Sequence, residues 1–377
     1  MAGLYIHIPF CKTRCIYCDF YSATRDDLRR SYVQALCKEM SLHRLFLPDE
    51  ELQTIYFGGG TPSQMDEEDF LQIFAAINRC FRVAENAEVT VEVNPDDITS
   101  TYASMLGSLP FNRVSMGIQT FNDDILRFLH RRHTSLQAVE AVDRLREAGF
   151  WNISVDLIYG LPGETRAILE EDVRRALALQ VQHLSAYHLS YEEGTPIDCM
   201  LKAHAITAVG EEDSADFYRV LTDMLKQHGY QHYEISNYCM EGYQSRHNSS
   251  YWNGTPYLGL GPSAHSYDGK SMRRWNVSSL TDYIRGIERG DSVFEVELLD
   301  RVTRYNEFMM VGLRTATGVS LSRLEKEFGE TLLHYCQSMA PDYITRGKLQ
   351  IVGDTLKLTP DGVFVSDGII SDLMYVD

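Results

Sequence analysis

Six short β-rich runs, beginning near Leu4, Thr54, Glu88, Arg113, Asn152 and His183, alternate with stretches of helical periodicity along the first half of the chain. The intervening segments DLRRSYVQALCKEMSLHRLF, DEEDFLQIFAAINRCF, TSLQAVEAVDRLREAG and AILEEDVRRALALQ carry their apolar residues at helix-like spacing. A strand–helix–strand unit repeated in this way closes by right-handed crossovers and builds a parallel sheet. The alternation predicts an α/β fold, a partial (β/α)6 barrel of the TIM type. In such folds the chemistry gathers where the C-terminal ends of the strands meet the following loops.

The polar and glycine-rich features fall at those ends. Three cysteines follow the first run in LYIHIPFCKTRCIYCDF, and GGGTP follows the second. Glu92 ends the third in VTVEVNP, Gln119 follows the fourth in VSMGIQTF, and Asp156 lies on the fifth in SVDLIYGLPGET. One rim therefore collects thiols, carboxylates and a glycine loop.

After about residue 230 the periodicity fades. The stretch YEISNYCMEGYQSRHNSSYWNGTPYLGLGPSAHSY is rich in tyrosine, glycine and asparagine, which predicts a long structured loop over the barrel mouth. Helical patterns return in RYNEFMMVGLRT, LSRLEKEF and LLHYCQSMAPDYI. Gly353-Asp354 then separates two alternating runs like a hairpin, so the tail reads as winged-helix-like. The organisation expected is a barrel over 1–235, an aromatic, glycine-rich connecting segment over 236–295, and a small C-terminal domain over 296–377. The candidate helix 332–345 carries no Lys or Arg, so the tail is given an interaction or lid role rather than DNA binding.

A formal charge of −18 repels phosphate backbones and argues against nucleic-acid partners. No run of eighteen apolar residues occurs and the first residues already read as a core strand, so the expected location is the cytoplasm. Eight cysteines in 377 residues are too few for a disulfide framework. Cys37, Cys80, Cys199, Cys239 and Cys336 are scattered and read as core thiols.

The other three are spaced Cys11-x3-Cys15-x2-Cys18. Three thiolates in one loop can hold three irons of a cubane cluster and leave the fourth iron open, as catalytic metal sites require. Zinc is the alternative, giving a zinc-stabilised scaffold. It needs a fourth ligand, for which only Cys37 and His7 offer themselves, and no paired CxxC or HxxxH completes the set.

CxxxCxxC after a first barrel strand, with Tyr17 before the last cysteine, resembles the signature of radical SAM proteins. GGGTP resembles their glycine motif, and the absence of a following GK[ST] removes the P-loop reading. In order, YIHIPFC, YFGGGTPS, VEVNPD, SMGIQTF, LHRRH and DLIYGLPGET are similar to the HemN/HemW branch, the coproporphyrinogen dehydrogenase-like proteins. The resemblance implies a 4Fe–4S cluster on Cys11, Cys15 and Cys18. It also implies S-adenosylmethionine contacts from Tyr5, Gly59, Gly60, Thr61, Glu92, Gln119, Arg131 and Asp156. The chemistry suits those roles, because carboxylates accept from hydroxyl or amino groups and Arg131 can pair with a carboxylate.

Two functions compete within this branch. The oxygen-independent coproporphyrinogen oxidases carry an N-terminal extension and a further cysteine two positions past the third. Here three residues precede Leu4 and Phe20 stands at that position, both against an oxidase acting on a tetrapyrrole. HNSSYW, residues 247–252, resembles the HNxxYW motif of the haem-chaperone members, which implies haem binding by His247, Asn248, Tyr251 and Trp252. The competing reading is an aromatic loop packed on the barrel with His247 hydrogen-bonded inside it, and His265 in GPSAHSY is a rival ligand. The expectation is a haem chaperone with a cluster and S-adenosylmethionine. Its expected partners are haem, apo-haemoproteins as recipients, a peripheral contact with membrane haemoproteins, and a second copy in a homodimer.

Overall fold

The computed structural model describes residues 2–47 and 51–376. Strands β1 (Ala2–Ile8), β2 (Leu52–Gly59), β3 (Val83–Val93), β4 (Arg113–Gln119), β5 (Ile153–Tyr159) and β6 (His183–His188) pair in parallel in sequence order. Each of the six expected runs is a strand. Alternation along them sorts side chains by face. Leu4, Ile6, Ile8, Phe57, Val91, Val114 and Met116 point outward and join the helices in one large core. Phe57, Phe70, Phe74 and Phe111 form its aromatic centre, with ring centroids 5.1 to 5.7 Å apart. The inward set is polar: Tyr56, Glu92, Arg113, Ser115, Asp156 and His183. A TIM barrel fills its interior with branched apolar residues. This one keeps a polar interior, which an open barrel with a site inside it requires.

The four expected helices are present as Arg29–His43, Glu67–Cys80, Ser135–Glu147 and Arg166–Ala178. Local chemistry starts them. Asp66 and Asp69 form a capping box before Glu67, and Thr134 with Gln137 forms another before Ser135.

The segment 236–295 is not a loop over the mouth. Strands β7 (Gln231–Glu234) and β8 (Asn237–Cys239) add to the β6 edge. Strands β9 (Tyr257–Leu260), β10 (His265–Tyr267), β11 (Met272–Asn276) and β12 (Phe294–Leu298) add to the β1 edge, giving a twelve-stranded sheet ordered β12-β11-β10-β9-β1-β2-β3-β4-β5-β6-β8-β7. β9 lies parallel to β1, with Gly3 opposite Tyr257 and Ile6 opposite Leu260. Left unpaired, β1 would present a bare edge of donors and acceptors. β8 to β11 have three to five residues each, too short for their alternation to register as strands in the sequence.

Before β9 runs the helix Arg246–Asn253, capped by Ser245 and ended by Gly254 at φ 75°. It sits under the N-terminal ends of β1 to β3, because His247 bonds to Thr54 while the backbone of Arg246 and His247 bonds to Glu88. This is the opposite end of the barrel from the cysteines.

The tail has its own core around Tyr305, Met309, Phe328, Leu332 and Cys336. Two of the expected helices run on as Leu321–Thr345, which bends at Gly329, where φ is 78°. Strands β13 (Val319–Ser320), β14 (Leu349–Val352) and β15 (Thr355–Leu358) form the wing, and β14 and β15 are the hairpin about Gly353-Asp354. Among the described residues no helix is long and apolar enough to cross a membrane.

Candidate functional site

A cavity of about 400 Å³ opens at the C-terminal rim of the barrel. Cys11, Cys15 and Cys18 line it together with Gly59, Gly60, Thr61, Glu92, Gln119, Arg131 and Asp156. The thiol loop is tied to the rest of the rim by a chain of hydrogen bonds. The Arg131 guanidinium donates to Cys15 Sγ at 3.6 Å and to Asn94 Oδ1 at 2.7 Å. Asn94 donates to Thr61 Oγ1 at 3.4 Å, and Thr61 shares a proton with Cys11 Sγ at 3.3 Å. A second knot lies on Asp97, which accepts from Lys12 of the thiol loop, Ser63 and Gln64 after the glycines, and Arg132.

The glycine loop is shaped by crowding. A Cβ on Gly59, at φ 105°, would lie 2.5 Å from the His7 ring, and one on Gly60 would lie 2.8 Å from the Ile8 carbonyl oxygen. Only glycine passes between these groups with that backbone. The gain is an exposed peptide edge on the cavity wall, with Gly59 N–H donating to Glu92 Oε2 at 3.2 Å.

The two carboxylates are held differently. Glu92 accepts from the Tyr56 hydroxyl at 2.7 Å, and burial raises its pKa to about 7 despite that bond. Asp156, held by Ser115 at 3.4 Å, is also raised by burial. Burial disfavours the charged form of both carboxyls, and a cationic ligand beside them would favour it. Gln119 sits at φ 71°, a left-handed backbone held at the strand end where its side chain meets the cavity.

Seven of the eight residues expected at the cofactor line this cavity. Tyr5 does not. It stands two residues below His7 on the inward face of β1, about 7 Å deeper at strand spacing, with its hydroxyl bonded to His7 Nδ1 at 3.1 Å. Asn94 and Asp97 were missed, although NPDD in the same run as Glu92 carried the signal, and Tyr56 on β2 carried none.

The HNSSYW residues lie elsewhere. His247 is 1% exposed, its Nδ1 is 2.8 Å from Thr54 Oγ1, and its Nε2 is 2.9 Å from the Tyr251 hydroxyl. Its ring stacks on Tyr56 at 5.0 Å. Both nitrogens are engaged, so in this conformation His247 plugs the barrel floor. Next to it Ser245 N–H donates to the Tyr233 hydroxyl, which bonds His183 at 2.8 Å. The plug thereby bridges the gap between the two edges of the open barrel.

The thiols fit a large group better than a single ion. A zinc ion draws its donors to about 2.3 Å from one point, and among the described residues no three His, Cys, Asp or Glu converge in that way. The three cysteines instead share one wall of a roomy cavity. Cys37 lies outside that lining, on the helix Arg29–His43. Burial raises Cys11 and takes Cys18 to about 11, which favours their protonated form, and metal binding would release those protons.

A parallel open barrel with three thiols, a glycine loop and paired carboxylates at its rim is the layout of a radical SAM protein, and residues 5–176 match the radical SAM superfamily. Residues 299–365 match the HemN C-terminal domain. The solved structure of coproporphyrinogen III oxidase HemN from Escherichia coli shares the fold, with a TM-score of 0.86 over 99% of this chain and 90% of that one at 22% identity. Named “Heme chaperone HemW”, a Bacillus subtilis protein is 35% identical over 96% of both chains. One of the same name from Mycobacterium tuberculosis is 32% identical over 99% of this chain and 94% of its own. The chain belongs to the HemW family.

Proposed function

We propose that this protein binds haem and passes it to apo-haemoproteins, while carrying a 4Fe–4S cluster on Cys11, Cys15 and Cys18 and S-adenosylmethionine beside it. The observation that carries the reading is the shared cavity: three thiols and seven of the residues expected at the cofactor line one space in a chain whose full-length relatives are named heme chaperones. A cluster held by three thiolates supplies an iron with an open coordination position. Around it, Arg131 offers a guanidinium for a carboxylate, while Glu92 and Asp156 accept from amino and hydroxyl groups. Gly59 and Gly60 leave room for the ligand to approach the backbone.

Phe20 is 62% exposed at the edge of this cavity, where an oxidase would place a fourth thiol. The reading therefore excludes coproporphyrinogen turnover. The test is one anaerobically reconstituted preparation, assayed for iron and sulfide, titrated with haemin, and incubated with coproporphyrinogen III. Haem binding without turnover supports the proposal, and sustained production of protoporphyrinogen overturns it.

A further inference from the structure

The concave face of the sheet continues past β1. Tyr257 of β9 is paired with Gly3, and Tyr267 of β10 lies opposite Tyr257. His265 stands two residues from Tyr267 on the same strand and pairs with Trp275 of β11. By alternation these four side chains share one face, continuous with the barrel interior. The other face is buried, with Asn276 donating to Glu39 and Arg274 stacked between Phe46 and Phe294. Three strands at about 4.8 Å spacing make the aromatic floor roughly 10 Å across, the scale of a flat macrocycle.

His265 is placed differently from His247. It is exposed, its ring stacks on Trp275 at 6.0 Å and 28°, and neither ring nitrogen has a hydrogen-bond partner among the described residues. Although the residue is exposed, partial desolvation of its ring, and then Arg273, hold it below the usual imidazole range, which favours the neutral form that binds metal. Because Tyr267 lies opposite Tyr257 and β10 runs antiparallel to β9, His265 sits further along towards the C-terminal end of β9 and β1, the mouth side of the barrel. Arg273 on this face is already held by Glu297 at 2.6 Å and Glu307 at 2.7 Å.

We infer that His265 is the axial ligand of the haem iron, and that Trp275 and Tyr267 contact the porphyrin on the open face of β10 and β11. This rests on the haem reading proposed above. A free imidazole nitrogen meets the iron's axial position, and the rings meet the macrocycle. With Arg273 engaged, the propionates stay in water. One axial bond on an open sheet face suits a cargo that must leave again.

Cluster-loaded protein is titrated anaerobically with haemin and followed by difference absorption. His265→Ala lowers affinity at least about tenfold and shifts the Soret band, and added imidazole restores the band. His265→Met moves the band without abolishing binding, and Trp275→Leu weakens binding with the band unmoved. His247→Ala melts at lower temperature but keeps the parent's haem spectrum. If His265→Ala matches the parent, or if imidazole does not restore the band, or if His247→Ala loses the spectrum instead, the assignment is overturned. A parent protein that binds no haemin would remove the haem reading itself, a different result from a parent that binds and a His265 variant that does so equally well.

Discussion

Tyr56→Phe removes one oxygen and little else. The ring stays stacked against His247, and the hydroxyl that donates to Glu92 at 2.7 Å disappears. That bond opposes the burial that raises Glu92 to about 7. A hydrogen bond to a charged acceptor is worth about 1.5–3 kcal/mol, and about 1.4 kcal/mol corresponds to one pKa unit. The variant's Glu92 therefore titrates one to two units higher by this arithmetic. Glu92 holds a ligand's hydroxyl or ammonium as an anion, so affinity is lost as pH falls through its pKa. At pH 7 the parent is about half ionised and the variant only a few per cent, an affinity loss on the order of tenfold. Equilibrium dialysis of S-adenosylmethionine against cluster-loaded protein from pH 6 to 9 measures it. Taking the variant-to-parent ratio at each pH cancels the titration of the ligand's own amino group. The ratio should be largest at pH 6 and fall towards one at pH 9. A ratio that stays near one, or stays flat with pH, would refute the coupling of Tyr56 to the cofactor through Glu92.

Ser at Cys11, Cys15 or Cys18 should abolish most of the iron and sulfide in reconstituted protein, whereas Ser at Cys37 or Cys80 should not; equal loss at Cys37 would mean a different ligand set. Glu92→Gln should stabilise the unliganded fold by about 3 kcal/mol at pH 8, because a carboxyl raised from 4.5 to about 7 costs stability as pH climbs through that window. The gain should vanish below about pH 4.5, where both folded and unfolded carboxyls are protonated, and S-adenosylmethionine affinity should fall; coincident melts at every pH would count against the burial. Gly59→Ala should cost at least about 1–3 kcal/mol in a denaturant midpoint, since the added Cβ meets His7 at 2.5 Å from a left-handed backbone. His247→Ala should lower stability by about 2–4 kcal/mol while retaining iron and sulfide, because it unplugs the floor at the far end from the thiols.

The parallel core and its reactive rim were legible in the chain because both obey local rules. Alternation of strand and helix dictates right-handed crossovers, and the residues just past each strand must then meet at one end. Cys11, Thr61, Glu92, Gln119 and Asp156 could be placed together without knowing any distance. What the sequence could not determine is how the polar interior is filled, because depth depends on register between strands rather than on order along them. Tyr5 and Glu92 are both inward residues of the barrel, yet one lines the cavity and the other is shut beneath His7. The stretch from 236 to 295 shows the same limit. Its strands are too short to announce themselves, and they exist because β1 offers an unpaired edge. Only that pairing turns His247 under the floor, with both nitrogens satisfied, and leaves His265 open on the same sheet: two histidines eighteen residues apart, separated by which end of one strand each must pack against.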